Sequence, residues 1–292
     1  VRIATDDSRS LCQFSTKFGA NMNRVRKVIK AAKQHGMELA GVSFHVGSGC
    51  QDSDSFVKAI RNARKVFNVA AEEGFKMQLL DIGGGFPGFR EESRSSSLKN
   101  AATFETTTEH IRHTLEQNFP ASEGVQIIGE PGRYIAAGTH TLAVNVFSKR
   151  DCRKINHEDD IEEAFSVDDE ADQTAHSVLE ELDDKEIKAA TKDDFLYYVN
   201  DGVYQSFNNI FFDHYVPKVN VLSAPEDAPK HPSTIFGPTC DSMDVLCKHV
   251  SLPELHVGDW LFFTNFGSYT TASASAGFNG FKTAKINYIW RN

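Results

Sequence analysis

Apolar residues between positions 21 and 36 recur at helical spacing. Val25, Val28, Ile29 and Ala32 fall on one face, and Gly36 stops the run. A longer repeat of the same period covers 53–73. Phe56, Ile60, Ala63, Phe67 and Ala70 form its apolar face, Ser53 or Asp52 caps its start, and Gly74 ends it. The pattern predicts a third helix over 104–118. Around these lie RIAT (2–5), GVSFHVG (41–47), MQLLDIG (77–83) and VQIIGEP (125–131), apolar runs without strict alternation. Strands read this way when both faces are covered. The order is βαβαβαβ, the pattern of a parallel α/β sheet or barrel.

After residue 138 the pattern changes. THTLAVNVFSKR, FLYYVND, NVLSA, STIFGP and DWLFFTN are short runs rich in β-branched and aromatic residues, with turn signals such as Asn200, Asp201 and Gly202 between them. This predicts an all-β part from 141 to 292 behind an α/β part from 1 to 140. Four βα strands make half of an eight-stranded barrel, which leaves raw sheet edges and an open core. Either the sheet is open, or the sequence lacks the beginning of its barrel.

Composition narrows the classes. With 292 residues and 40% hydrophobic content the chain can build a sizeable core in one large domain or two ordinary ones. No apolar run reaches 18 residues, and the opening VRIATDDSRS lacks a signal-peptide core, so no membrane partner is expected. The five cysteines are scattered and form no CxxC, which argues against a disulfide framework or a metal site and fits a cytoplasmic protein. Charge is unevenly placed. Residues 151–194 hold 17 acidic against 5 basic side chains, a net of −12; the whole chain carries −9, so the rest carries +3. That stretch reads as a solvated, disordered insert or a regulatory docking segment. No basic face offers itself to nucleic acid.

Three strands end in glycine-containing turns: FHVGSG (44–49), DIGGGFPG (81–88) and GEPGRY (129–134). In a parallel α/β barrel such turns form the active-site face. Gly83, Gly84 and Gly85 could expose N–H groups to a phosphate, with a hydroxyl from Ser48 and a guanidinium from Arg133. The competing reading is a tight turn. Glu130 could pair with a protonated ring nitrogen, as in pyridoxal phosphate enzymes, or cap the next turn as a surface carboxylate. His45 could stack on that ring or sit satisfied in a core.

These residues carry a resemblance. From RIATDDS through GVSFHVGSGC, LLDIGGGFPG, EPGRY, YYVNDGVYQSFN, FDH, GPTCDSMD, LPELHVGDW and FNGF, the chain resembles the eukaryotic ornithine decarboxylases, in the alanine-racemase-like group of pyridoxal phosphate enzymes. The resemblance implies the C-terminal half of a parallel (β/α)8 barrel, cofactor-binding, followed by a β-sandwich or β-barrel-like domain. It implies decarboxylation of L-ornithine to putrescine, a step of polyamine biosynthesis, by a homodimer with shared active sites. Glu130 would pair with the pyridine nitrogen and His45 would stack on the ring. Ser48, Gly83, Gly84, Gly85, Arg133, Tyr269 and Arg2 would hold the cofactor. Asp213, Asp241 and Phe278 would bind substrate, and Cys240 would direct protonation after CO₂ leaves. Cys240 and Asp241 would act in the neighbouring subunit's site, and Lys17 would pair with Asp244 across the interface.

The chain also departs from the family's pattern. Phe212 replaces a usual Tyr, Gln205 and Ser242 replace usual glycines, and TTASASAG before Phe278 carries one extra residue. The family's cofactor-attaching lysine lies in a segment like FYAVKCN, which does not occur here. The expectation is therefore an N-terminally incomplete sequence, inactive by itself. Two alternatives stay open: a non-catalytic regulator of the antizyme-inhibitor type, which also leaves antizyme regulation open, or a sister decarboxylase acting on lysine, arginine or diaminopimelate. Asp213, Cys240 and Asp241, which a non-catalytic relative is free to lose, are all present.

Overall fold

The computed structural model describes residues 1–88, 102–153, 193–225, 227–275 and 277–290. Residues 154–192 of the acidic stretch and Ala276 of TTASASAG lie outside them. The chain divides into two units, Val1–Thr141 with Thr264–Ser268, and Leu142–Phe263 with Tyr269–Asn292.

The first unit alternates strands and helices. Strands β2 (Gly41–Ser43), β4 (Leu79–Asp81) and β5 (Gln126–Ile128) form a parallel sheet in the order β2-β4-β5. A short antiparallel pair, β1 (Ser10–Cys12) with β3 (Ser48–Cys50), lies apart from that sheet. Helix α1 spans Val25–Gln34, α2 Ser53–Glu72, α3 Phe104–Asn118 and α4 Gly132–Ala137. Asp52 caps α2 by accepting from the Asp54 N–H, and Thr103 with Thr106 closes a capping box on α3. The apolar faces read from the sequence are buried except at Val28, which is 39% exposed; Ile29, Phe56, Ile60, Ala63 and Ala70 pack with Val42, Phe44 and Leu80 in one core. Each fully buried Phe or Ile there contributes about 1.5–3 kcal/mol relative to exposure.

Two local expectations shrink. RIAT yields only isolated bridges, Arg2 to Ser43 and Ile3 to Ala20. GVSFHVG is a strand only to Ser43, because the chain then turns and pairs Ser48–Cys50 with Ser10–Cys12. Each member of that pair is three residues long, too short for alternation to show. The segment Thr264–Ser268 returns to this unit, where the N–H groups of Phe266 and Gly267 donate to the carbonyls of His140 and Ala137.

The second unit is built on a six-stranded sheet in the order β10-β9-β7-β6-β11-β8. Its strands are β6 (Leu142–Asp151), β7 (Phe195–Val199), β8 (Asn220–Val221), β9 (Lys230–Phe236), β10 (Val245–Pro253) and β11 (Trp260–Phe263). All neighbours are antiparallel except β7 and β9, which run parallel. Alternation buries Phe195, Tyr197 and Val199 of β7. Strand β10 escaped the sequence reading. Its register shifts between Cys247 and Val250, and His249 takes φ +53°, so VLCKHVSLP never alternates cleanly. Among the described residues no helix is long and apolar enough to cross a membrane.

Candidate active site

The glycine run in LLDIGGGFPG is explained first by packing. A Cβ on Gly83 would lie 1.9 Å from the Phe44 carbonyl oxygen, and one on Gly85 2.4 Å from that of Gly47. Both residues also have left-handed φ, +61° and +105°. A Cβ on Gly84 would meet the His45 Nε2 at 2.7 Å. The run is thus the surface against which the turn 44–47 rests. Hydrogen bonds fix it on both sides: the Glu130 N–H donates to the Gly83 carbonyl (2.9 Å) and the Cys50 N–H to that of Gly85 (3.1 Å).

One expectation is corrected here. The Gly83 N–H donates to the Asp81 Oδ1 at 2.8 Å, so it is committed inside the protein and is not a donor for a phosphate. The bond closes an Asx-turn between residues two apart, a local habit of aspartate that the glycine run by itself does not display.

Arg133 and Ser48 come together from elements 85 residues apart. Both are buried, and the Arg133 Nη2 donates to the Ser48 Oγ at 2.7 Å. Ser48 is held in place by the β1–β3 pair, Arg133 by the first turn of α4. A buried guanidinium beside a hydroxyl is a donor-rich pair suited to an oxyanion. His45 lies between Gly84 and the Phe14 ring, whose centroid is 4.7 Å away. Its Nδ1 accepts from the Gly47 N–H at 3.0 Å. Burial, and then the Arg2 charge, lower its pKa. His45 is therefore a neutral imidazole with its proton on Nε2, a flat face rather than a cation. Arg2 sits with its guanidinium 4.8 Å from the Phe18 ring centroid. Glu130 is exposed beside the glycine run, fixed through its main chain.

The second unit gathers a separate cluster. The Asn279 Nδ2 donates to the Cys240 Sγ at 3.2 Å. Asp241 accepts a short bond from the Tyr204 hydroxyl and a 2.9 Å bond from the Met243 N–H. These bonds, Tyr204's first, hold the Asp241 carboxyl below its ordinary pKa. The Tyr204 ring in turn stacks on Phe278, with centroids 3.8 Å apart. Cys240, Asp241 and Phe278, expected to work together, thus meet around two residues the sequence reading passed over. Tyr204 and Asn279 lay inside the motifs YYVNDGVYQSFN and FNGF, and only their contacts single them out.

Asp213 is buried at the end of the short helix α5 (Asn209–Phe212), and its N–H donates to the Asn209 carbonyl. Phe212 is 70% exposed, whereas Gln205 is fully buried with neither end of its amide hydrogen-bonded. Tyr269 is half-exposed with φ +55°. The expected partner of Lys17 has other commitments. Asp244 is 1% exposed and accepts from the Val203 N–H and from the N–H and hydroxyl of Thr239.

Residues 1–137 match the pyridoxal-dependent decarboxylase, pyridoxal binding domain, and residues 133–267 the pyridoxal-dependent decarboxylase, C-terminal sheet domain. Ornithine decarboxylase of Mus musculus is 44% identical over 290 residues, 99% of this chain and 56% of that protein. Antizyme inhibitor 2 of Xenopus laevis is 45% identical over 289 residues, again 99% of this chain and 56% of that protein. The chain therefore spans about half the length of the curated relatives it matches. Among solved structures, the arginine decarboxylase of Paramecium bursaria Chlorella virus bound to agmatine superposes with TM-score 0.73 at 32% identity, over 96% of this chain and 63% of that one. The lysine/ornithine decarboxylase of Vibrio vulnificus complexed with cadaverine gives 0.70 at 27% identity, over 99% and 64%. Two consecutive domain matches from residue 1 to residue 267, with whole-chain similarity to ornithine decarboxylases, show that this chain belongs to the pyridoxal-dependent decarboxylase family, in its eukaryotic ornithine decarboxylase-like branch.

Proposed function

We propose that this chain is the cofactor- and substrate-binding part of an ornithine decarboxylase, forming putrescine from L-ornithine. The observation that carries the reading is the meeting of Cys240, Asp241 and Phe278 around Tyr204 and Asn279. A substrate with a distal ammonium needs a fixed carboxylate far from the reacting carbon and a proton donor near it, and this cluster supplies both. The first unit reads as the C-terminal half of a (β/α)8 barrel and the second as a β-sandwich or barrel-like domain.

The first unit's residues fit pyridoxal 5'-phosphate. The buried Arg133–Ser48 pair would hold the phosphate dianion, joined by Gly84, Gly85 and Arg2, while Gly83 serves through its conformation alone. The neutral His45 offers its face to an aromatic ring, and Glu130 would pair with a protonated ring nitrogen. When bound, the cofactor supplies an electron sink for the bond that CO₂ leaves. Asp213 and Asp241 hold the distal ammonium, and Cys240 delivers a proton to the carbon that lost CO₂. Cys240 and Asp241 would serve the partner subunit's site in a homodimer, a two-fold arrangement with two equivalent centres.

The test is ¹⁴CO₂ release by the full-length protein offered L-ornithine, L-lysine, L-arginine and meso-diaminopimelate. Ornithine should be preferred at least tenfold in kcat/KM. One methylene is worth about 1–3 kcal/mol of discrimination, which permits that ratio against lysine. Asp213→Ala should raise KM far more than it weakens cofactor binding. Preference for another substrate would assign the sister activity. No turnover, with tight antizyme binding, would favour the antizyme-inhibitor reading that the Xenopus relative raises.

A further inference from the structure

The loop bearing Cys240 and Asp241 is exposed, yet its base is clamped on a buried carboxylate. Asp244 is 1% exposed. Its Oδ1 accepts from the Val203 N–H at 2.9 Å, and its Oδ2 accepts from the Thr239 N–H at 3.0 Å and the Thr239 hydroxyl at 2.7 Å. The main chain adds two bonds: the Gly237 N–H donates to the Asp244 carbonyl at 2.8 Å, and the Asp244 N–H to the Asp241 carbonyl at 2.9 Å. Two glycines make room for it. A Cβ on Gly202 would lie 2.3 Å from the Asp244 Oδ1, and one on Gly237 2.1 Å from the same atom.

These contacts join two otherwise separate segments. Gly202 and Val203 precede Tyr204, which holds Asp241 and stacks on Phe278. Gly237 and Thr239 precede Cys240. We propose that Asp244 is a positioning residue, a buried carboxylate staple that sets the Cys240–Asp241 loop against the Tyr204 turn of the same chain. It touches neither substrate nor cofactor; it fixes where the thiol and the substrate carboxylate stand. A buried carboxylate accepting three donors is costly to leave half-satisfied, so both segments are held in one arrangement. The proposal rests on the assignment of Cys240 and Asp241 given above. It differs from the interface pair with Lys17 that the family resemblance implies, because every contact named here is within one chain.

The test uses the full-length protein. With cofactor removed, the rate of Cys240 carboxamidomethylation is read by peptide mass, and kcat and KM for ornithine are measured on the holoenzyme. Asp244→Asn places an amide N–H₂ against the two Thr239 donors. It should change the Cys240 alkylation rate at least threefold and lower kcat at least tenfold, with an unchanged dimer fraction in sedimentation. Thr239→Val removes one hydroxyl donor and should shift both readouts in the same direction by less. If Asp244→Asn does not fold, Thr239→Val decides. Wild-type alkylation and kcat in a folded Asp244→Asn or Thr239→Val protein would overturn the proposal. So would a Lys17→Ala variant that reproduces the alkylation change, because the carboxylate would then act through the interface. Undiminished turnover by Cys240→Ala would overturn the role given to Cys240, while the alkylation arm still judges Asp244 by itself.

Discussion

The two units hold their chemistry by different means. In the first, the glycine run and Glu130 follow the ends of parallel strands and are positioned by backbone. Glycines at 83, 84 and 85 let the turn 44–47 approach closely, and main-chain hydrogen bonds tie that run to Glu130 and Cys50. In the second, Cys240, Asp241 and Phe278 lie on loops and are positioned by side chains: Tyr204, Asn279 and Asp244. A backbone-built site fails sterically, and the failure reaches the core. A side-chain-built site fails one bond at a time and is open to tuning by a hydroxyl or an amide.

The sharpest way to break this contrast is at Gly83. Gly83→Ala puts a methyl 1.9 Å from the Phe44 carbonyl oxygen at φ +61°. It should cost on the order of 3–5 kcal/mol, or abolish folding, in urea unfolding of the full-length protein. Gly132→Ala, whose Cβ would meet nothing within 4 Å, should change stability by less than about 0.5 kcal/mol. Equal effects at the two positions would remove the steric argument.

Asp201 tests the second unit through pH. Its carboxylate accepts from the N–H and hydroxyl of Ser206, yet burial dominates and pushes its pKa from 3.8 to about 6. Because the folded value lies above the unfolded one, its protonated form favours the fold. That contribution is full below about pH 4 and is lost as pH rises through 6. Asp201→Asn keeps shape and hydrogen bonds without the charge. It should be more stable than wild type at pH 7.5, by about 3 kcal/mol at most, and the gain should vanish below pH 4. A pH-independent difference in urea midpoints would contradict this.

The smallest expected effect concerns the half-buried pair of Tyr204 and Asp241. Tyr204→Phe removes the leading cause of the lowered Asp241 pKa. In a ¹³C-carboxyl titration the Asp241 value should move up toward the ordinary range. In wild type any stability from this pair is present above the unfolded pKa and is lost as pH falls through the folded one, so the variant should flatten that acid limb. An unmoved Asp241 would show that the Met243 N–H alone sets it.

Much was readable before the structure. Helices α1, α2 and α3 were legible because burial imposes a 3.6-residue period, and α2 kept its face over twenty residues. β7 was legible by alternation, while β10 was not, because its bulge breaks the period-two pattern. Motif order carried the family, and so Cys240 and Asp241 could be named, while Glu130 and Arg133 were legible from the turn that follows their strand. Tyr204 and Asn279 could not be singled out, since a tyrosine or an asparagine in a loop is ordinary until its partner is known, and Asp244 was named only for the interface, not for its bonds to Val203 and Thr239.

The sequence by itself determined the alternation of strands and helices, the apolar faces of the longer helices, and the family, because these rest on local periods and contiguous motifs. Only the tertiary structure decided that Arg133 meets Ser48, that β7 runs parallel to β9, and that Tyr204 reaches Asp241. These join residues 37 to 85 positions apart. Which distant segments meet depends on the packing and loop closure of the whole chain, and no local period records that.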